Sequence, residues 1–232
     1  METNQLAALI ADLDHRDKPT IRAAVDQLIV AAAEAEVVRQ SLNRRLVEPD
    51  HKNYWPVAYV LGHLPQPSGA ALRTLLQTLD HREPDIRWAA ALLLVQIAKR
   101  ESAVFNLLIE LCRNGTANQR RMAVYCLRDL DLNDGASLQA IIDLLSDADT
   151  TVRVAAITSL KNRREDEPRV RHALLECYLN DEEIRVRNAA AVTLASFAAP
   201  APEFLRALEE AATSGDSQTK KTAVVALAML RK

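Results

Sequence analysis

The sequence predicts an all-α solenoid of about seven helical hairpins, and two observations carry that prediction. A motif returns every 32 to 34 residues, centred on Arg22, Tyr54, Arg87, Arg120, Arg153, Arg187 and Lys220. Around each centre the apolar residues keep fixed offsets. A constant period of this size belongs to stacked repeats rather than to a closed globule.

The first helix of each unit is set by two columns four residues apart. Twelve residues before the centres stand Ile10, Leu42, Leu75, Leu108, Ile141, Leu175 and Leu208. Eight before stand Asp14, Leu46, Leu79, Cys112, Leu145, Leu179 and Ala212, with Asp14 the one polar member. The second helix is set by Val25, Val57, Ala90, Ala123, Ala156, Ala190 and Ala223, three residues past the centres. Four further on stand Ile29, Leu61, Leu94, Leu127, Leu160, Leu194 and Leu227. A spacing of four places each pair on one helical face. Between the helices lie short polar turns such as SDADT at 146–150 and NDEE at 180–183, in which Asp147 and Asp181 are available as helix caps.

These columns give units at about 3–34, 35–66, 67–99, 100–132, 133–165, 166–199 and 200–232, read as a single domain over 1–232. One hairpin cannot bury its apolar stripe alone, so neighbours share a continuous core. That requirement suits a chain that is 49% hydrophobic with 4% aromatic residues and five glycines.

Segments such as LDHREPDIRWAAALLL (79–94), LLSDADTTVRVAAITSL (144–160) and LNDEEIRVRNAAAVTL (179–194) resemble the HEAT-repeat family, including its bacterial members of the phycobilisome-lyase type. They carry its leucine pair, turn aspartate, Val/Ile-Arg and Ala-Ala. The resemblance covers nearly the whole chain and implies a right-handed superhelix of HEAT-type hairpins. It also implies a ladder in which Arg153 and Arg187 pair with the turn aspartates Asp147 and Asp181. Arg22, Arg87 and Arg120 stand at equivalent rungs. The second unit departs from the pattern with Tyr54 at its centre and Pro56 close behind. The seventh has Lys220 and no turn aspartate at the matching place.

A formal charge of -2 and a pI near 6.2 argue against a general nucleic-acid or anionic-membrane binder. The basic pairs Arg120-Arg121, Arg163-Arg164 and Lys220-Lys221 read as solvated surface. No apolar run spans a membrane, and the acidic start METNQLAALIADLDHR reads as a helix rather than a signal peptide, so the expected location is cytoplasmic. Cys112, Cys126 and Cys177 form no CxxC pair and read as reduced packing thiols. The five histidines lack metal-site spacing, and His15 and His81 recur in matching LDHR turns. No phosphate loop, dinucleotide motif or nucleophile elbow occurs. The sequence specifies no catalytic residue, metal or cofactor.

The second helices carry one further signal. One residue past the centres, Trp55 and Trp88 occupy adjacent units, followed by Arg121; four further on stand Tyr59, Leu92 and Tyr125. Neither column is needed for the core. Trp, Tyr and Arg are enriched at the energetic centres of interfaces. Trp55, Tyr59, Trp88, Leu92, Arg121 and Tyr125 are therefore the candidate partner-binding residues, unless the tryptophans fill gaps between helices. The function expected is a non-catalytic protein-binding scaffold or adaptor whose concave surface holds another protein, the oligomeric state being open. The lyase branch of the resemblance implies a second reading, a phycobilin lyase-like subunit handling a linear tetrapyrrole or its client protein. A third, a HEAT-like DNA glycosylase, is disfavoured by the acidic balance.

Overall fold

Each predicted hairpin forms, and the columns show why. The structure is a computed structural model that describes residues 3–48, 54–130, 135–161, 168–197 and 200–230. Among the described residues there are fourteen α-helices, one 3-10 turn and no strand. The first helices of the seven pairs are α1 (Thr3–Asp12), α3 (Glu36–Arg45), α5 (Gly69–Thr78), α7 (Ser102–Asn114), α9 (Gly135–Asp143), α11 (Pro168–Asn180) and α13 (Pro202–Ser214). The second helices are α2 (Lys18–Glu34), α4 (Tyr54–Gly62), α6 (Pro84–Ala98), α8 (Ala117–Asp129), α10 (Thr150–Ser159), α12 (Ile184–Leu194) and α14 (Ser217–Leu230). The 3-10 turn Leu144–Ser146 prolongs α9 into the turn before α10. Arg163 and Arg164 lie outside the described residues.

The chain divides into two compact units, Met1–Leu108 and Ile109–Lys232. In the first, the second helices α2, α4 and α6 pack in sequence, while α3 and α5 join them from the other layer. In the second unit α8, α10, α12 and α14 pack in the same way, with α11 on α12 and α13 on α14.

The columns explain this packing. Val25, Val57, Ala90, Ala123, Ala156, Ala190 and Ala223 are all buried, so small residues sit where neighbouring second helices approach. Leu61, Leu94, Leu127 and Leu160 are wholly buried as well. Ile29 and Leu227 are half-buried because α2 and α14 each have a second-helix neighbour on one side. Gly62 marks a tight approach: a Cβ there would lie 2.7 Å from Leu93 Cδ2 and 2.8 Å from Leu75 Cδ1.

The first-helix columns need correction in two units. Ile10 is half-buried and Asp14 exposed, whereas Leu9 and Leu13 fill the core. Likewise Leu179 is 46% exposed and Tyr178 takes its buried place, while Leu175 stays buried beside Leu174. The spacing of four survives, but the register runs one residue earlier. Tyr178 secures the shift by stacking edge-on against Phe204, with ring centroids 5.3 Å apart, and by donating from Oη to the Ala207 carbonyl.

Capping also departs from expectation. Asp147 and Asp181 do not cap the following helices; each accepts the N–H two residues on, from Asp149 at 2.8 Å and Glu183 at 2.9 Å. The N-cap of α10 is Asp149, which accepts from the Thr151 and Val152 N–H groups. Glu183 stands before α12 without a side-chain cap. Elsewhere Thr116 and Gln119 form a reciprocal capping box on α8, and proline opens α6 and α13 at positions where no N–H is needed.

Asp149 yields a pH prediction. Its carboxyl is held below the usual carboxylate range, chiefly by the Thr151 hydroxyl and then by the two backbone N–H groups. A folded-state pKa below the unfolded one gives stability that is present above the unfolded pKa and lost as pH falls through the folded value. Asp149→Ala should therefore cost about 1 kcal/mol at neutral pH. The gap to the parent should narrow in acid, as pH falls through the depressed folded-state value. Urea melts at neutral and at acid pH check it, and an unchanged gap would remove the capping assignment.

Candidate functional site

The candidate residues fall into two groups. Trp55 and Tyr59 lie on α4 and Trp88 and Leu92 on α6, all in the first unit, whereas Arg121 and Tyr125 lie on α8 in the second. Arg121 donates to Asn118 Oδ1 at 3.0 Å, and the Arg128 guanidinium sits 5.1 Å from the centre of the Tyr125 ring. Those two side chains are half-buried.

In the first unit the geometry makes a cleft. At nine residues α4 is far shorter than its flanking helices α2, with 17, and α6, with 15. Lys18 at the start of α2 reaches across to the start of α6, where its Nζ lies 2.5 Å from Glu83 and 2.7 Å from Asp85. These hydrogen bonds, that of Asp85 foremost, hold the Lys18 ammonium above its ordinary range and both carboxylates below theirs. Between the two helices opens a cleft of about 600 Å³, with Trp55 and Tyr59 of α4 along it. Ile21 and Val25 of α2 and Ile86 and Ala89 of α6 make most of its lining apolar.

Besides the paired Lys18 and Asp85, the polar members of the cleft are Arg22 and Asp26, one helical turn apart, and Tyr59. Tyr59 is half-buried and packs edge-on against His63 at 4.7 Å between centroids. Burial pushes its phenol up, Asp26 adds to the rise and Arg22 opposes it. Beyond the cleft on α6, Trp88 is 40% and Leu92 56% exposed.

The arginine positions form a second arrangement, with a corrected pairing. Arg153 donates from Nη1 to the Asp147 carbonyl of its own turn at 2.8 Å, but its ion pair is with the next turn. There Nε and Nη2 meet the two Asp181 carboxylate oxygens at 2.8 and 3.0 Å. Arg120 does the same one unit earlier, bonding the Gly115 carbonyl at 2.8 Å and Asp147 at 2.6 and 2.7 Å. Each turn aspartate thus answers the arginine 27 or 28 residues before it, not the one that follows it in its own unit.

That spacing explains the missing rungs. The residue 28 after Arg187 is Gly215, and Arg187 is left with the Asp181 and Glu182 carbonyls. The residue 27 after Arg87 is Asn114; Arg87 donates to the His81 and Arg82 carbonyls, while its buried Nε has no hydrogen-bond partner among the described residues. Position 81 follows Tyr54 by the same interval. There His81 Nδ1 accepts the Glu83 N–H at 3.1 Å, as His15 Nδ1 accepts that of Asp17. Both histidines reproduce the aspartate's turn bond without its charge.

The thiols are poor nucleophiles. All three cysteines are free and buried, and burial pushes Cys112 up to about 12 and Cys177 up to about 11, with Cys126 raised as well. Among the described residues no group of three His, Cys, Asp or Glu side chains could hold a metal ion, and no helix is long and apolar enough to cross a membrane.

The comparisons with known proteins bear on the fold. Residues 105–195 and 138–228 match a family model described as HEAT repeats, which together takes in more than half of the 232-residue chain. The chain is similar to the X-ray structure of YibA of Escherichia coli, at 14% identity over 100% of this chain and 93% of that one, with a TM-score of 0.56. It is also similar to a designed armadillo repeat protein in complex with the peptide (KR)4, at 18% identity, 97% and 99% coverage and a TM-score of 0.47. A third is the complex of CpcE and CpcF of phycocyanin lyase from Nostoc sp. PCC7120, at 18% identity, 96% and 86% coverage and a TM-score of 0.39. The first of these likenesses is one of fold. No curated protein matches the chain in sequence.

Proposed function

Because the chain belongs to the HEAT-repeat family, we propose that it is a non-catalytic protein-binding scaffold or adaptor, with its contact surface on the second helices of the first unit. The observation that carries this reading is the placement of Trp88 and Leu92, 40% and 56% exposed, beside an apolar cleft along which Trp55 and Tyr59 lie. Large apolar side chains exposed together on a water-facing surface mark an interaction site. A surface preformed on packed helices gives up little conformational entropy on binding. Arg121 and Tyr125 are proposed as additional contacts on α8. The scaffold is proposed to act in the cytoplasm, where its buried thiols stay reduced.

Trp88→Ala tests the reading. Loss of an interface anchor weakens capture of the partner by about 2 kcal/mol or more, which is roughly thirtyfold in affinity. Removal of a side chain that is 40% exposed should leave the melting temperature nearly unchanged. Affinity capture from the source cell with parent and variant, followed by titration of the captured protein, measures the first quantity. A destabilised variant that still holds its partner would sink the reading. Adding a linear tetrapyrrole and a DNA duplex to the purified protein, followed by absorbance and anisotropy, should give no binding.

A further inference from the structure

In the second unit, the end of α9 with its 3-10 turn and the C-terminal half of α11 line a groove of about 710 Å³. Ile142, Leu145, Ala173 and Cys177 supply its apolar lining. Its charged lining is one-sided: the carboxylates of Asp143, Asp147, Glu176, Asp181 and Glu182 share the groove with a single guanidinium, that of Arg153. Arg153 answers Asp181, and Arg120 answers Asp147 from outside the lining. Asp143, Glu176 and Glu182 are exposed and have no ion pair among the described residues. Gln139 donates to Asp143 at 2.7 Å and Asn180 to Glu176 at 2.8 Å, neutral amides that leave both charges in place. Arg169, which reaches the Gln139 carbonyl oxygen at 3.4 Å, is not part of the lining.

Two helix ends add to this excess. α9 ends on Asp143, Glu176 stands one turn before the end of α11, and neither helix has a basic residue in its last turn. The unpaired carbonyls of a helix C-terminus carry partial negative charge, which cations stabilise and carboxylates oppose. α3 and α7 follow that rule, with Arg44 and Arg45 in the last turn of one and Arg113 in that of the other. Asp143 and Glu176 work against the helices they stand on, so stability of the fold does not account for them.

We propose that this groove receives a basic polypeptide segment of a partner protein, one that sets at least two Lys or Arg side chains around an apolar one. The cations meet Asp143, Glu176 and Glu182, and the apolar side chain lies against Ile142 and Leu145. Charge complementarity selects the occupant, since the uncompensated negative field attracts cations and repels nucleic acid and acidic lipid surfaces. Among the described residues no three carboxylate, imidazole or thiol groups come close enough to hold a metal ion, so the charges suit cations spaced along a chain rather than one ion. The apolar lining favours a polypeptide over a bare polyamine. This surface lies in the second unit and does not rest on the reading of Trp88.

The test is selection from a random peptide library displayed on phage, with the full chain as bait, followed by titration of the enriched peptides. The expected result is a class of peptides with paired Lys or Arg residues whose affinity falls about tenfold in the double variant Glu176→Gln with Glu182→Gln, as the loss of two partly exposed ion pairs implies. Their affinity should hold in Glu34→Gln with Glu110→Gln, which removes the same charge from exposed positions outside the groove. The melting temperature of the groove variant should equal or exceed the parent's, because neutralising Glu176 relieves an unfavourable charge near a helix C-terminus. Basic peptides that bind both double variants alike, or a selection without basic peptides, overturn the inference. Displacement of the peptides by spermine at equal affinity would make the site one for polyamines and overturn the polypeptide. A lowered melting temperature in the groove variant would give the carboxylates a structural role and count against the inference as well.

Discussion

Leu127→Ala is expected to destabilise the protein by about 2–5 kcal/mol, and Leu179→Ala by less than about 1 kcal/mol. Both leucines stand in apolar columns of the repeat, and the same atoms are removed from each. Leu127 is wholly buried on α8 among Met122, Ala123 and the helices packed against it, whereas Leu179 is 46% exposed. Truncation at 127 loses the transfer free energy and leaves a cavity, because the facing backbones are held by their own hydrogen bonds and close in only partly. In a stack each hairpin is stabilised by its neighbours, so the loss also loosens α10. For a chain of this length the drop in melting temperature is on the order of 5–10 °C if unfolding is cooperative. Thermal melts of the two variants decide the point. Equal shifts would show that the burial pattern, and with it the corrected register of the sixth hairpin, is wrong.

The contrast also shows what the sequence makes legible. Hairpin number and the second-helix core follow directly from the period, because a stack of identical pairs admits one solution for a column of alanines and leucines. The first helices were harder. Their offset from the repeat centre depends on the length and path of the intervening turn, so one residue more in the turn of the first or sixth hairpin moves Leu9 and Leu13 into the core in place of Ile10 and Asp14, or Tyr178 in place of Leu179. Periodicity alone carries no information on that slip.

The site was legible in part for a similar reason. Trp55, Tyr59, Trp88 and Leu92 could be found as large side chains off the core columns. The interval of 27 or 28 residues from Arg120 to Asp147 and from Arg153 to Asp181 is also written in the sequence. The family resemblance pairs a turn aspartate with the arginine of its own unit, whereas the stack brings it against the preceding one.

Arg153→Ala should therefore cost about 3 kcal/mol, more than any exposed arginine. The side chains of Arg153 and Asp181 are 8% and 9% exposed, so neither charge can turn to bulk water when its partner is removed. Deletion of the guanidinium strands the Asp181 carboxylate, which would keep the Glu183 N–H, and frees the Asp147 carbonyl. Two adjacent turns lose their tie at once. Arg171 is a poor comparator despite lying on a first helix, because its guanidinium sits 5.8 Å from the centre of the Phe197 ring. Arg185, exposed on α12, is the better one, and Arg185→Ala should fall within about 0.5 kcal/mol of the parent. Arg153→Lys should lie between the two, since one ammonium cannot present the parallel N–H pair that spans both carboxylate oxygens. The double variant Arg153→Met with Asp181→Leu should recover part of the loss, because it leaves no uncompensated charge. Urea denaturation of the four variants measures all of this. Equal midpoints for Arg153→Ala and Arg185→Ala would mean that the inter-turn pair contributes nothing to stability.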